Sequence, residues 1–361
     1  MIAARASRSA APREGIPVKH MVDPPPAHEL EKLVGLIGGY RISQSIYVAV
    51  ELGIPDLLAH GPRTTSELAT ATAAHDGNLQ RLLRFLASAG LFTEVAPHKF
   101  ELTRLGAGLR SDIAGSPGTL ARMLLHKSHW EPWGHLLEGV STGRTAFELV
   151  HDVGLFEYLE QNQELARLFD AAMTESTARD GLAIANSYDF SNIATVVDVG
   201  GGQGLLIASL LQTYPNLSGT LFDLPELVVR GSPLLEKWGV SDRCTVVGGS
   251  FFDSVPRGAE VYLLRHIVHD WDDQRACRIL RNCRDAAAPG GKVLVVERMI
   301  SANHQGLALL AYDMEMMVNF GGKERTETEF RELFMEAGLR LARVIGPISP
   351  AAHVIIEGKP E

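Results

Sequence analysis

The chain has 361 residues and a mass of 39.2 kDa, enough for two domains whose cores need no disulfide or metal to staple them. With 45% hydrophobic and 21% charged residues it has a globular composition, which excludes a disordered, collagenous or disulfide-scaffold protein for the bulk of the chain. Its net charge of -9 argues against a nucleic-acid binder, which needs a basic surface.

Residues 1–26 are rich in Ala, Ser, Arg and Pro and end in Pro24-Pro25-Pro26, so they read as a disordered tail. Arg5, Arg8 and Arg13 are not followed by the apolar run of about 7–15 residues that a secretory signal requires. Residues 27–112 follow a helical pattern. Leu30, Leu33, Val34 and Ile37 recur at the 3.6-residue period, and Ile42 to Leu52 reads as a second helix stopped by Gly53. Thr64 to Leu68 is a capped helix start, and Asn78 to Ala89 a strong helix ended by Gly90. Two short strands around Pro97-His98 complete the order expected of a winged helix. Its predicted helix over 78–89 offers only Arg81 and Arg84 as cations. That favours a scaffold or dimerisation module over a groove reader.

Residues 113–189 read as a helical connector. It carries Trp130, Phe156 and Met173, candidates for the wall of an aromatic pocket. After Asp189 the grammar changes. β-Branched runs at "TVVDVG", "GTLFDL", "CTVVGG", "VYLLRH" and "KVLVVE" alternate with helical patterns. Residues 190–361 are therefore predicted to form an α/β domain, a doubly wound and mostly parallel sheet. Its last stretch reads as an antiparallel hairpin closing that sheet. The longest uncharged stretch, 199–222, is too interrupted by glycines, Gln203, Gln212, Pro215 and Asn216 to span a membrane. Cys244, Cys277 and Cys283 form no CxxC pair and are odd in number, which reads as reduced thiols in a cytoplasmic protein.

The strongest motif is Asp198-Val199-Gly200-Gly201-Gly202-Gln203-Gly204, between a strand and a helix. Glycines at such a turn let a ligand touch the backbone. The dinucleotide spacing GxGxxG fails, because its last position is Leu205. An acid directly before the turn repels a pyrophosphate and faces a cationic amino group instead. Asp223 ends the second strand, where a doubly wound fold sets a carboxylate on a ribose diol. An adenosine ligand with a cationic amino-acid end meets both demands, and S-adenosylmethionine is such a ligand. His269 follows the fourth strand and Glu297 ends the fifth, so both are expected at the sheet edge where catalysts gather. A histidine near neutral pKa takes a proton from a phenol, and a carboxylate on its other ring nitrogen fixes the tautomer. No spacing reads as a metal site; a cluster forced from His266, His269 and Asp270 lacks further ligands.

The segments "VVDVGGGQG", "GTLFDLPE", "HIVHDWDD", "PGGKVLVVE" and "GGKERTETEF" together resemble the small-molecule O-methyltransferases of the plant caffeate and isoflavone type, closest to their bacterial antibiotic-biosynthesis branch. The resemblance covers about residues 27–358. It implies S-adenosylmethionine as methyl donor and S-adenosylhomocysteine as product, with no metal. Gly200, Gly202 and Leu224 would line the cofactor, Asp223 would bind its ribose hydroxyls, and Arg265 stands where the family has a Lys near the cofactor. His269 would be the general base, flanked by Glu297 and Glu324, with Met173, Met316 and Asn319 near the acceptor. Where the family often has Asp-Met at the adenine, this chain has Ser250-Phe251, and Phe251 can stack on the base. The winged-helix region would be the family's dimerisation domain. The resemblance thus implies an O-methyltransferase acting on an aromatic natural product as a homodimer, without nucleic-acid or membrane partners. An N-methyltransferase, a non-methylating enzyme on the same scaffold, and a winged-helix regulator remain the alternatives.

Overall fold

The structure, a computed structural model, describes residues 25–301, 306–348 and 352–361. Residues 1–24 of the expected tail lie outside the described residues. The chain divides into two units, 1–43 and 44–361.

The described part of the first unit holds the helix Ala27–Ile37 and the start of the helix Gly39–Glu51. Within the unit, Leu30, Leu33, Val34, Leu36 and Ile37 all stay exposed.

The second unit begins with a small module. The helices Thr65–Thr72 and Asp76–Ser88 accompany β1 (Arg63–Thr64), β2 (Phe92–Ala96) and β3 (Lys99–Leu102). These strands form an antiparallel sheet in the order β1-β3-β2. The two predicted strands are present, and Arg63–Thr64 adds a third that propensity alone did not reveal. Thr64 does two jobs: it pairs with Lys99 and caps the next helix in a capping box with Glu67. Leu68, Leu83, Leu86 and Phe100 form the buried interior, while Arg81 and Arg84 are exposed.

The large sheet contains β4 (Thr195–Val199), β5 (Ser218–Asp223), β6 (Cys244–Gly248), β7 (Val261–Arg265), β8 (Lys292–Ile300), β9 (Arg325–Thr326), β10 (Leu339–Ile345) and β11 (His353–Pro360). Its order is β10-β11-β8-β7-β4-β5-β6, with β9 paired to β8. The strands β4 to β8 run parallel and β11 antiparallel. The expected closing hairpin is there, but its second strand lies inside the first, between β8 and β10. β8 also runs past Glu297 to Ile300, because β9 extends its pairing.

Both faces of the sheet are covered, which explains the unbroken apolar runs. On β7, Tyr262 and Leu264 join one core with Ile279, Leu280 and Phe330. Val261 and Leu263 point into the other, with Ile207 and Leu210 of the helix Leu205–Thr213. The three cysteines are buried and unpaired. Strand order reverses direction between β4 and β7, so a crevice is expected beyond their carboxyl ends.

Candidate active site

The glycine turn sits at that crevice. Gly200, Gly202 and Gly204 have φ of +70°, +57° and +81°, a left-handed conformation that side chains resist. Space adds a second constraint at Gly201, where a Cβ would lie 2.8 Å from the Asp198 carboxyl. At Gly202, by contrast, a Cβ would meet nothing within 4 Å. The turn therefore leaves open room over its own backbone.

Asp223 braces the turn. Its Oδ2 accepts from the Gly202 N–H at 2.8 Å and its Oδ1 from the Leu224 N–H at 2.7 Å. Asp198 is buried at 1% exposure, and its Oδ2 has no hydrogen-bond partner. Burial, then the neighbouring Asp223 charge, pushes the Asp198 carboxyl up to about 7. A buried acid with an orphaned oxygen beside a second acid is short of positive charge. The cationic amino-acid end of S-adenosylmethionine fits that deficit, and Asp223 has lone pairs left for ribose hydroxyls. Arg265, also on the crevice wall, is turned toward the helix Gln163–Ser187, where it reaches Thr177 at 3.0 Å and Asp180 at 3.3 Å.

Beyond β7 the chain turns at His266, whose φ is +54°, and brings His269 to the same crevice. His269 is 5% exposed and sits among acids. Its Nδ1 lies 3.0 Å from Glu324 Oε1. Because a carboxylate only accepts, the proton belongs on Nδ1, which leaves Nε2 with a free lone pair. Glu297 has a different job from the one its position suggested: it accepts the backbone N–H of His269 at 2.9 Å and does not hold the ring. The reason is the length of β8, which puts Glu297 within the strand beneath the loop. Asp270 Oδ1 lies 3.5 Å from Nε2. Burial opposes the imidazolium, but the charges of Glu324, Asp270 and Glu297 outweigh it and hold the His269 pKa up at about 9.

One cavity of about 360 Å³ joins the two halves. Its wall includes Asp198, Gly200, Gly202, Asp223, Leu224, Ser250, Phe251, Arg265 and His269. Phe156, Met173 and Met316 line it as well, and Phe156 stacks on Trp271 at 5.0 Å between ring centroids. Glu297 and Glu324 are not on the wall; they stand behind His269. Trp130 and Asn319 are also off the wall. Asn319 instead donates to Glu315, which lines the cavity, at 2.8 Å. The helix Leu307–Glu315 widens into a π turn over Met316–Phe320, which sets Met316 and Phe320 toward the cavity and Asn319 away from it.

Three further residues of this region are not singled out by the sequence. Glu315 is an acid in an apolar stretch. Gly322 packs where a Cβ would overlap the carbonyl oxygen of His269. Arg325, fully buried, binds the carbonyls of Val268 and Trp271 on either side of His269. Only the last two had a signal, since both stand in "GGKERT". Among the described residues, no group of three His, Cys, Asp or Glu is placed to hold a metal ion.

The chain matches the O-methyltransferase domain over residues 133–340 and the O-methyltransferase dimerisation domain over residues 34–111. A phenazine O-methyltransferase (PhzM) of Lysobacter antibioticus is 40% identical over 91% of this chain and 95% of its own. A mitomycin biosynthesis 6-O-methyltransferase of Streptomyces lavendulae is 38% identical over 88% of this chain and 92% of its own. Among solved structures, the O-methyltransferase NcsB1 from neocarzinostatin biosynthesis, in complex with S-adenosylmethionine and 2-hydroxy-5-methyl naphthoic acid, aligns with a TM-score of 0.78 and 36% identity. That alignment covers 88% of this chain and 96% of NcsB1.

Proposed function

Because the chain belongs to the O-methyltransferase family, we propose that it methylates a phenolic or enolic hydroxyl of an aromatic natural product, with His269 as general base. The observation that carries this reading is one cavity bounded by Asp198 and Asp223 at one end and by the Glu324-backed His269 at the other. Bound S-adenosylmethionine supplies an electrophilic methyl group. Asp198 would hold its ammonium end and Asp223 its ribose, with Gly200, Gly202, Leu224, Ser250, Phe251 and Arg265 around it.

His269 Nε2 takes the proton from the acceptor hydroxyl. Glu324 keeps the ring in the tautomer that can do so, and its charge stabilises the imidazolium that results. Glu297 fixes the backbone from which the ring projects. The apolar wall of Phe156, Met173 and Met316 suits a flat ring system and excludes water. The test is transfer of labelled methyl from S-adenosylmethionine to a panel of phenols, naphthoates and polyketide aglycones. Label in no product, with S-adenosylmethionine binding intact, would turn the reading toward non-methylating chemistry.

The acids around His269 set a pH dependence. At pH 7 and a pKa of about 9, roughly one molecule in a hundred carries the neutral ring, so kcat/KM should climb with pH until that value. Glu324→Gln removes the nearest charge that favours the imidazolium, so the climb should finish at lower pH with a lower plateau. An unmoved pH–rate profile would separate Glu324 from the base. Asp198 gives a second slope. Its carboxyl must ionise to hold a cation, so S-adenosylmethionine affinity should rise roughly fivefold from pH 6 to 7, and Asp198→Asn should flatten that rise. Calorimetric titration at the two pH values reads both.

We further assign residues 27–112 to dimerisation, 113–189 to the acceptor side of the cavity and 190–361 to the donor and the chemistry. The dimerisation match and the exposed apolar residues Leu30, Leu33, Val34 and Ile37 support a homodimer. By length and composition Ala27–Glu51 is also apolar enough to cross a membrane; its overlap with the dimerisation domain favours a protein partner. Light scattering should give about twice the chain mass, and Leu33→Asp with Ile37→Asp should lower it to one chain. Three free buried thiols support a cytoplasmic setting.

A further inference from the structure

We propose that Glu315 selects acceptors that carry an amino group, which it meets as a hydrogen-bond acceptor while the hydroxyl of the same molecule meets His269. The inference rests on the methyltransferase reading of the cavity and adds the chemical class of its acceptor.

Glu315 and His269 line the same cavity, and on this reading one ring system meets both. Much of that cavity's wall is apolar, including Phe156, Met173 and Met316. A carboxyl on such a wall loses hydration and needs a compensating partner. Its partners are two neutral donors, the Asn319 amide at 2.8 Å and the Trp133 indole. No cation pairs with it among the described residues, whereas Asp170 has Arg230 and Asp180 has Arg265. Asn319 and Trp133 hold the carboxyl in place from behind without neutralising it.

The arrangement is built for a visiting donor. Asn319 is itself 1% exposed, and its Oδ1 has no partner, so its position is fixed by what it gives to Glu315. The π turn starting at Met316 turns Asn319 out of the cavity and behind the acid. An amino nitrogen on the acceptor would supply both the missing donor and, when protonated, the missing charge. Burial holds the Glu315 carboxyl up at about 7, so above that pH a carbonyl or ether at that point would set lone pair against lone pair.

The probes are naphthols bearing one amino group at each ring position, each compared with the parent naphthol and with the acetyl analogue. Label transfer gives the kcat/KM ratio within each pair. Calorimetry with the S-adenosylhomocysteine-loaded protein gives binding independently of turnover. At least one aminonaphthol should be preferred over its parent by roughly 10- to 100-fold, the range of a charge-assisted hydrogen bond. In Glu315→Gln, which keeps the shape and an oxygen for Asn319, that ratio should collapse toward one; a thermal melt checks that the variant folds. Glu315→Asp, which draws the carboxylate back, should give an intermediate ratio.

No preference for any amino isomer, or a preference that survives Glu315→Gln, overturns the proposal. So does preference for the acetyl analogue, which would make Glu315 a protonated donor. Naphthols methylated without discrimination strike only this inference. Naphthols neither bound nor methylated strike the aromatic-acceptor reading beneath it, and the inference falls with it.

Discussion

Replacing His269 by glutamine should lower turnover by roughly 100- to 10,000-fold while S-adenosylmethionine binds as before. The magnitude is that of a positioned base whose proton transfer is lost. Glutamine keeps the backbone N–H that Glu297 accepts at 2.9 Å, so the loop retains its anchor. The carboxamide has no lone pair basic enough to accept a proton from a phenol at neutral pH. The residual rate comes from holding donor and acceptor together. On the proposed reading, donor affinity would be set by Asp198, Asp223 and the glycine turn, with which His269 makes no hydrogen bond. Turnover of labelled methyl under saturating substrates and calorimetric Kd for the donor separate the two effects. Near-normal turnover would remove His269 from the role of base; a matching loss of donor affinity would make it a structural residue.

The parts of the site closest to sequence were those carried by single strands and their next turn. Asp198 and the glycines follow β4 directly, and Asp223 ends β5. Their relation depends only on two parallel neighbours pairing in register, Asp198 beside Leu221 and Val199 beside Phe222. Strand propensity and the crevice rule suffice there. The base is harder. Position alone put Glu297 near His269 but could not tell ring from backbone, because that depends on how far β8 continues. Glu324 lies 55 residues from His269, and only the resemblance brought it to the ring.

The acceptor side was least legible. Trp130 and Phe156 carry the same signal in sequence, an aromatic among helical residues, yet only Phe156 lines the cavity. Which face of a connector helix is inner depends on packing across 100 residues or so of chain, which no local period reports. The π turn over Met316–Phe320 shifts the faces again, so Asn319 backs Glu315 and does not meet the cavity itself. A helix-period reading expects neither. The third strand of the small module escaped for a similar reason: two residues, one of them a helix cap, carry too little propensity to stand out.

Arg325→Leu should cost about 2–3 kcal/mol of stability, because it removes a buried guanidinium that donates to two carbonyls and pairs with the half-exposed Asp273. Arg325 is 0% exposed. Its Nη1 donates to the Val268 carbonyl at 3.0 Å and its Nη2 to the Trp271 carbonyl at 2.9 Å, while Nε and Nη2 both reach Asp273 Oδ1. The guanidinium thus clamps the loop 268–271 from both ends, with His269 between. Gly322 presses on the same loop, where a Cβ would overlap the His269 carbonyl oxygen. Leucine fills the space but donates nothing, so the Trp271 carbonyl loses its Arg325 donor and the Val268 carbonyl keeps only the Trp271 N–H at 3.4 Å. Arg325→Lys keeps the charge but not the planar fork, and one ammonium cannot span both carbonyls and Asp273 in this geometry. It should therefore recover less than half of the loss. Denaturant unfolding of the three proteins reads the stability, and methyl transfer at low temperature, where all remain folded, reads the loop. Turnover should fall in Arg325→Leu even there, since the loop carrying His269 is then held only by the Glu297, Glu324 and Lys323 contacts of His269 itself. A loss under about 1 kcal/mol, with turnover unchanged, would show that Glu297 and Glu324 suffice to hold the base without the clamp.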